Sequence, residues 1–196
     1  MIEVIFPTVT ETEGFKPPAG VRVHTCGVGL TDAAIFTAGL LSKERPEAIV
    51  MAGIAGVYAH SRFKIGDTVI VKREREADLG FFYPDGFRLL ARTDNDMEFP
   101  LSEWLECPWA DESLGLPVAS SNSMNAAMAP FAPTDGADIE NMEGAAFFKV
   151  CLRAGVTFYQ IRSISNEVDL NRKAWDLHGA VERLGKQLER FVQRIR

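Results

Sequence analysis

The sequence predicts an α/β fold built on one central sheet. Short apolar runs that read as strands alternate with helical stretches, glycine-rich turns stand at strand ends, and a long amphipathic helix ends the chain. In folds of this kind ligands bind in the loops at the C-terminal ends of strands, which tells us where to look for chemistry.

The elements follow in order. Ile2–Phe6 is an apolar strand stopped by Pro7, and Val21–Thr25 is a second strand that runs into Gly27-Val28-Gly29. Thr31 is placed to cap a helix running to about Lys43, ended before Pro46. Ala48–Ala52 reads as a buried strand entering a glycine turn, Gly53-Ile54-Ala55-Gly56. Thr68–Lys72 is a strand after the turn at Gly66-Asp67, and Lys72–Glu76, mixed in sign, reads as its solvated end. Phe81–Gly115 mixes prolines, glycine and aromatics and reads as long loops around short elements. Val118–Ser121 is a strand, Gly144–Arg153 a helix, and Val156–Arg162 a strand. Leu177, Val181, Leu184, Leu188, Phe191 and Ile195, at spacings of four and three, define one face of the last helix. No internal repeat interrupts this order, and residues 1–196 read as a single domain.

Composition narrows the class. Apolar residues make up 46% and charged residues 24%, with a formal charge of −6 and no basic run. Nucleic-acid binding normally leaves a basic footprint, so that class is disfavoured. Cys26, Cys107 and Cys151 have no metal-ligand spacing and read as reduced thiols of a cytoplasmic protein. No apolar stretch approaches the roughly 20 residues of a membrane helix. His24, His60 and His178 form no metal pattern and read as structural or exposed. Trp104 and Trp109 could wall a ligand, but ordinary packing explains them as well.

The candidate residues sit in strand-end loops. Glu143, followed by Gly144-Ala145-Ala146, is a carboxylate that two adjacent hydroxyls of a ribose could both reach; an acid favoured by a helix dipole is the competing reading. Thr10-Glu11-Thr12-Glu13 offers a carboxylate as general base, or a solvated loop. Asn166, in Ser163-Ile164-Ser165-Asn166, has the donor and acceptor needed to read a base edge, or it serves a turn. The two glycine loops match neither a P-loop nor a dinucleotide fingerprint.

Taken together, Gly27-Val28-Gly29-Leu30, Ala52-Gly53-Ile54-Ala55-Gly56, Ile65-Gly66-Asp67-Thr68-Val69, Asn141-Met142-Glu143-Gly144-Ala145-Ala146 and Ile161-Arg162-Ser163-Ile164-Ser165-Asn166 resemble, in order, the signature loops of the purine nucleoside phosphorylase and methylthioadenosine nucleosidase superfamily. The resemblance spans nearly the whole chain. Within the superfamily the chain is similar to the futalosine hydrolases, on Ala77-Asp78-Leu79-Gly80 and on the segment from Ile161 through Arg172 to Trp175. It implies a phosphorylase/hydrolase-like three-layer sandwich, a central mixed twisted sheet flanked by helices. It implies no cofactor, a purine nucleoside substrate and a homodimer.

The same resemblance assigns roles. Glu13 matches the glutamate that activates water, with Glu11 as a rival. Met142 packs against the ribose and Glu143 binds its hydroxyls. Asn166 faces N7 of the purine, where adenine-cleaving relatives carry an aspartate. Ser123 stands where methylthioadenosine nucleosidases carry a phenylalanine against the base, and the backbone of Met124 faces the purine edge. An amide at Asn166 suits hypoxanthine, whose position 6 is a carbonyl. Family phosphorylases place a phosphate-binding serine and arginine where this chain has Ile54 and Met51, which favours water over phosphate. Three other functions compete: a phosphorylase, an adenine-specific nucleosidase, which Asn166 disfavours, and a non-catalytic nucleoside-binding protein, which the presence of both Glu13 and Glu143 disfavours.

Overall fold

The computed structural model describes residues 1–93, 101–169 and 174–196. Arg172 and part of the irregular Phe81–Gly115 region therefore lie outside the described residues. The predicted α/β character holds. Strand β1 (Ile2–Phe6) is buried along its whole length. It pairs in parallel with β2 (Val21–Thr25) on one side and with β3 (Ala48–Val57) on the other. A one-turn helix α1 (Val9–Thr12) follows β1, and α2 (Leu30–Lys43) follows β2. Helix α2 starts without a side-chain cap: Gly29 holds the N-cap position at φ 101°, so Thr31 lies inside the first turn and does not cap it.

Three strands run further than their apolar patterns indicate. β3 continues through the Gly53–Gly56 segment to Val57, because β10 (Phe158–Glu167) pairs beside it over most of its length. The glycines are thus part of the sheet and not a loop beyond it. β10 likewise absorbs Ser163–Asn166, with an irregularity in register between Ile164 and Asn166. β4 (Thr68–Glu76) continues through the charged segment, so Lys72–Glu76 is not a solvated end. Glu74 and Arg75 are fully buried there, between β7 (Leu105–Glu106) and β8 (Val118–Ser123). Neighbours distant in sequence supply what the local pattern lacks. Arg75 donates to Asn122 Oδ1 and Glu103 Oε1 and lies 4.4 Å over the Trp104 ring.

β9 (Ile139–Asn141) completes the main sheet, which has eight strands among the described residues and mixes parallel and antiparallel pairs. The order β10-β4-β8-β9-β3 closes on itself, because β10 also pairs with β3, and β1 and β2 extend the sheet from β3. The irregular region contributes a hairpin, β5 (Gly80–Tyr83) and β6 (Gly86–Leu89). Helix α3 (Gly144–Ala154) contacts α2 and the β4–β8 side of the sheet. Helix α4 (Leu177–Arg194) lies against β10, β3 and α1.

α4 buries Val181, Leu184, Leu188 and Phe191 of the expected face. Burying one such side chain stabilises by roughly 1.5–3 kcal/mol. Gly185 lets α4 meet the α1 turn backbone to backbone: a Cβ there would lie 1.7 Å from the Gly14 carbonyl oxygen. Trp104 and Trp109 pack instead of facing the cavity described below, Trp109 edge-on to Phe158 and Trp104 against Arg73 and Arg75.

Candidate active site

A cavity of 410 Å³ opens at the C-terminal ends of β1, β3 and β10, a size that suits a small ligand. Glu11, Ile54, Met142, Glu143, Arg162 and Asn166 all line it. Glycine makes their approach possible. A Cβ on Gly53 would fall 2.4 Å from Arg162 Nη1 and 3.0 Å from Glu11 Oε1.

Glu11 reaches the cavity through the geometry of α1. Thr8 caps the helix, and the two residues form a capping box: Glu11 Oε2 accepts from the Thr8 amide at 3.1 Å and the Thr8 hydroxyl at 2.7 Å. Glu11 Oε1 accepts from the Ile54 amide at 3.0 Å. Burial pushes its carboxyl above the ordinary range, against the opposing pull of Thr8, Ile54 and Arg162. Glu13, two residues on, is the exposed C-cap of the same turn and does not line the cavity. The glutamate that the resemblance matched to the water-activating role thus lies outside this cavity, and its rival Glu11 lies in it. Residues two apart on a helix do not share a face, and the Thr8 capping box and the Ile54 amide hold Glu11 inward.

Glu143 stands at the N-cap of α3 but caps nothing with its side chain. Its Oε1 accepts from the Gly29 amide at 3.2 Å, which brings the Gly27–Gly29 loop to the cavity. Its Oε2 accepts from Arg162 Nη2 at 3.1 Å. Arg162 is itself buried and also donates to Asn141 Oδ1 and the Ile54 carbonyl. Sequence reasoning did not single out Arg162; a lone arginine inside an apolar strand was the available signal.

Asn166 lines the cavity beside Ser165. Its Oδ1 accepts from the Ser165 hydroxyl at 2.8 Å and its Nδ2 donates to the Glu167 carbonyl, leaving one amide hydrogen free of these contacts. Ser123 and Met124 do not line the cavity, contrary to expectation. The Ser123 hydroxyl donates to Glu74 and Asn141, and it accepts from the Ala145 amide. Met124 is buried against Ala77 and Ala132. Met128, from the segment that follows, lines the cavity instead.

A second polar cluster lies beneath the first. Glu74 is wholly buried and accepts from Ser123, Asn141 and Gln160. Burial raises its carboxyl to about 7, opposed mainly by Arg162. Asn141 joins the clusters, since its Oδ1 accepts from the Glu143 and Gly144 amides and from Arg162. Burial also raises the thiols of Cys107 and Cys151, and pushes Cys26 up to about 11, so these thiols are poor nucleophiles.

Comparison with known proteins bears on the family and the fold. The family model of the Phosphorylase superfamily matches residues 113–195, the part that carries Glu143, Arg162 and Asn166. The fold is that of a futalosine hydrolase from Helicobacter pylori, with a TM-score of 0.76 at 18% identity over 98% of this chain and 97% of that one. This defines a class by its fold, with the Phosphorylase superfamily model matching the C-terminal part of the chain. Futalosine hydrolase from Thermus thermophilus is 34% identical over 91% of this chain and 84% of the relative. Futalosine hydrolase from Acidothermus cellulolyticus is 34% identical over 85% and 72%. The chain belongs to the futalosine hydrolase family, and it is an N-glycosyl hydrolase. Among the described residues no helix is long and apolar enough to cross a membrane.

Proposed function

We propose that the protein hydrolyses the N-ribosyl bond of futalosine, releasing hypoxanthine and leaving dehypoxanthine futalosine, a step of menaquinone biosynthesis. The observation that carries this is the convergence of Glu11, Glu143 and Arg162 on one cavity that Asn166 also lines. Breaking the bond builds positive charge on the sugar and negative charge on the base, as in glycoside hydrolysis. Glu11, in place of Glu13, orients and deprotonates the attacking water. Glu143 holds the ribose hydroxyls and favours the cationic sugar, with Arg162 and Gly29 fixing its two oxygens. Met142 lies against the ribose. The Asn166 amide donates toward O6 and accepts from a protonated N7. Ser123 and Met124 act behind the cavity wall. Trp175 and Leu177, both partly exposed and both lining the cavity, are placed to receive the 5′ substituent.

Water is favoured over phosphate. Met51 is buried in the core, and the Ile54 amide is bonded to Glu11. Among the described residues Arg162 is the one cation lining the cavity, and it is bonded to Glu143. The finer architecture proposed is a three-layer sandwich, consistent with α3 and α4 contacting different strands, with residues 1–196 as one domain around one principal core cluster. The proposed setting is a cytoplasmic homodimer; exposed Phe82 and Phe131, in edge contact, offer an apolar surface for it. Chromatography of base release from futalosine, inosine and methylthioadenosine, with and without phosphate, tests the reading. Hypoxanthine release from futalosine that ignores phosphate is expected, and preferred cleavage of methylthioadenosine would overturn it.

A further inference from the structure

The cavity holds a carboxylate to which the proposed function gives no part. Glu140, on β9, lines the cavity together with Asn166. The two side chains border the same space over the bare backbone of Gly56: a Cβ there would lie 3.1 Å from Asn166 Nδ2 and 3.6 Å from Glu140 Cγ. Glu140 is only 7% exposed, yet among the described residues it has no cationic partner. Its Oε2 accepts from the Tyr58 hydroxyl at 3.0 Å, and Asn122 Nδ2 in turn donates to that hydroxyl at 2.9 Å. Its Oε1 accepts from the Met128 amide at 2.9 Å. Met128 also lines the cavity and is the one non-glycine residue at positive φ, 60°, among the described residues.

These bonds fix the carboxyl group and leave it short of donors. Two carboxylate oxygens offer about four acceptor positions, and two are filled. A buried carboxylate with unfilled acceptor positions costs free energy unless a ligand supplies a donor. Along one edge, hypoxanthine presents N7, O6 and N1–H in sequence. Its N1 is a donor, whereas N1 of adenine is an acceptor. An amide next to a carboxylate therefore matches the order O6 then N1–H, and the carboxylate repels the lone pair of adenine N1.

We infer that Glu140 is a specificity-determining residue that accepts the N1–H of a 6-oxopurine beside Asn166. The inference rests on the proposed nucleoside hydrolysis and deepens it. It divides base recognition between two residues. Asn166 reads the O6 and N7 side, and Glu140 reads N1. A site built to receive a donor discriminates against a base lacking it, because the mismatch leaves buried groups unpaired.

The test compares kcat/KM for futalosine, its 6-amino counterpart and its 1-deaza analogue, in which C–H replaces N1–H without added bulk. The enzymes are the wild type and Glu140→Gln. For the wild type, the 1-deaza analogue should react about 5- to 150-fold less efficiently than futalosine. In Glu140→Gln the preference for futalosine over the 6-amino compound should fall by a similar factor, and the 1-deaza penalty should shrink. A wild type indifferent to the 1-deaza change overturns the inference without use of any variant. A variant that loses the same factor on all three nucleosides overturns it too, and assigns Glu140 to holding Met128. If the wild type releases no hypoxanthine from futalosine, the proposed function falls first and this inference falls with it.

Discussion

Two carboxylate clusters lie on either side of Asn141, and they hold charge differently. On the cavity side, Glu11 and Glu143 accept from backbone amides and from a threonine or an arginine, and they line the space a substrate would enter. On the sealed side, Glu74 is wholly buried and meets side-chain donors of serine, asparagine and glutamine. Burial lifts both Glu11 and Glu74, and Glu74 reaches about 7. The difference teaches that burial and a raised pKa alone do not make a catalytic base. Glu11 can act because it faces the cavity. Glu74 can only position Asn141, and through it Glu143 and Arg162.

Neutralising the cavity side should have the largest effect. Glu11→Gln should lower kcat by about 10²–10⁴-fold, the contribution of a general base, while Glu13→Gln should stay within about twofold, as expected of an exposed residue. Steady-state kinetics of the two variants decides between them, and an inactive Glu13→Gln beside a normal Glu11→Gln would reverse the assignment. The pH profile sharpens the point. A base must be ionised, so kcat/KM should fall as pH drops through the raised Glu11 pKa, above the usual 4.5. Glu11→Gln should lack that limb.

Glu143→Gln should cost about two orders of magnitude in turnover, about 3 kcal/mol of transition-state stabilisation, with the fold intact. Near-normal turnover by a folded variant would place the ribose contact elsewhere. Base choice should respond less. Asn166→Asp should shift the kcat/KM ratio of 6-oxo to 6-amino nucleoside by about 5- to 150-fold toward the amino compound, because an ionised aspartate offers no donor to O6. An unchanged ratio would remove Asn166 from base reading.

The sealed side should show itself in stability. Between the unfolded value of 4.5 and the folded value of about 7, Glu74 keeps a proton in the folded chain that the unfolded chain has released. Its stabilising contribution is therefore complete below 4.5 and is lost as pH rises through about 7. Glu74→Gln mimics the protonated form and should remove this loss, on the order of 1–3 kcal/mol. Denaturant melts of both proteins across that pH range would show curves that diverge as pH rises; parallel curves would mean that Glu74 is charged throughout.

The sequence made some of this legible and hid the rest for physical reasons. β1 and the face of α4 were readable because apolar side chains recur with the period of the element that buries them. Glu143 and Asn166 were readable as polar residues beside small ones at a strand end. Which of Glu11 and Glu13 faces the cavity was not, because it depends on the direction of a one-turn helix and on the Ile54 amide, far along the chain, that receives Glu11. Buried Glu74 and Arg75 looked like a solvated strand end, because Ser123, Gln160, Asn122 and Trp104 join them only in the folded chain. Ser123 and Met124 were placed at the base by resemblance, but the strand end directs them behind the cavity wall.

The central claim is that water, activated beside Glu11, takes the place of the purine on the ribose of futalosine. The most direct test is the reaction in ¹⁸O-labelled water containing phosphate, with the products analysed by mass spectrometry. The account predicts free hypoxanthine and a sugar product carrying one ¹⁸O at its anomeric hydroxyl. A sugar 1-phosphate without label, or intact futalosine, would contradict it.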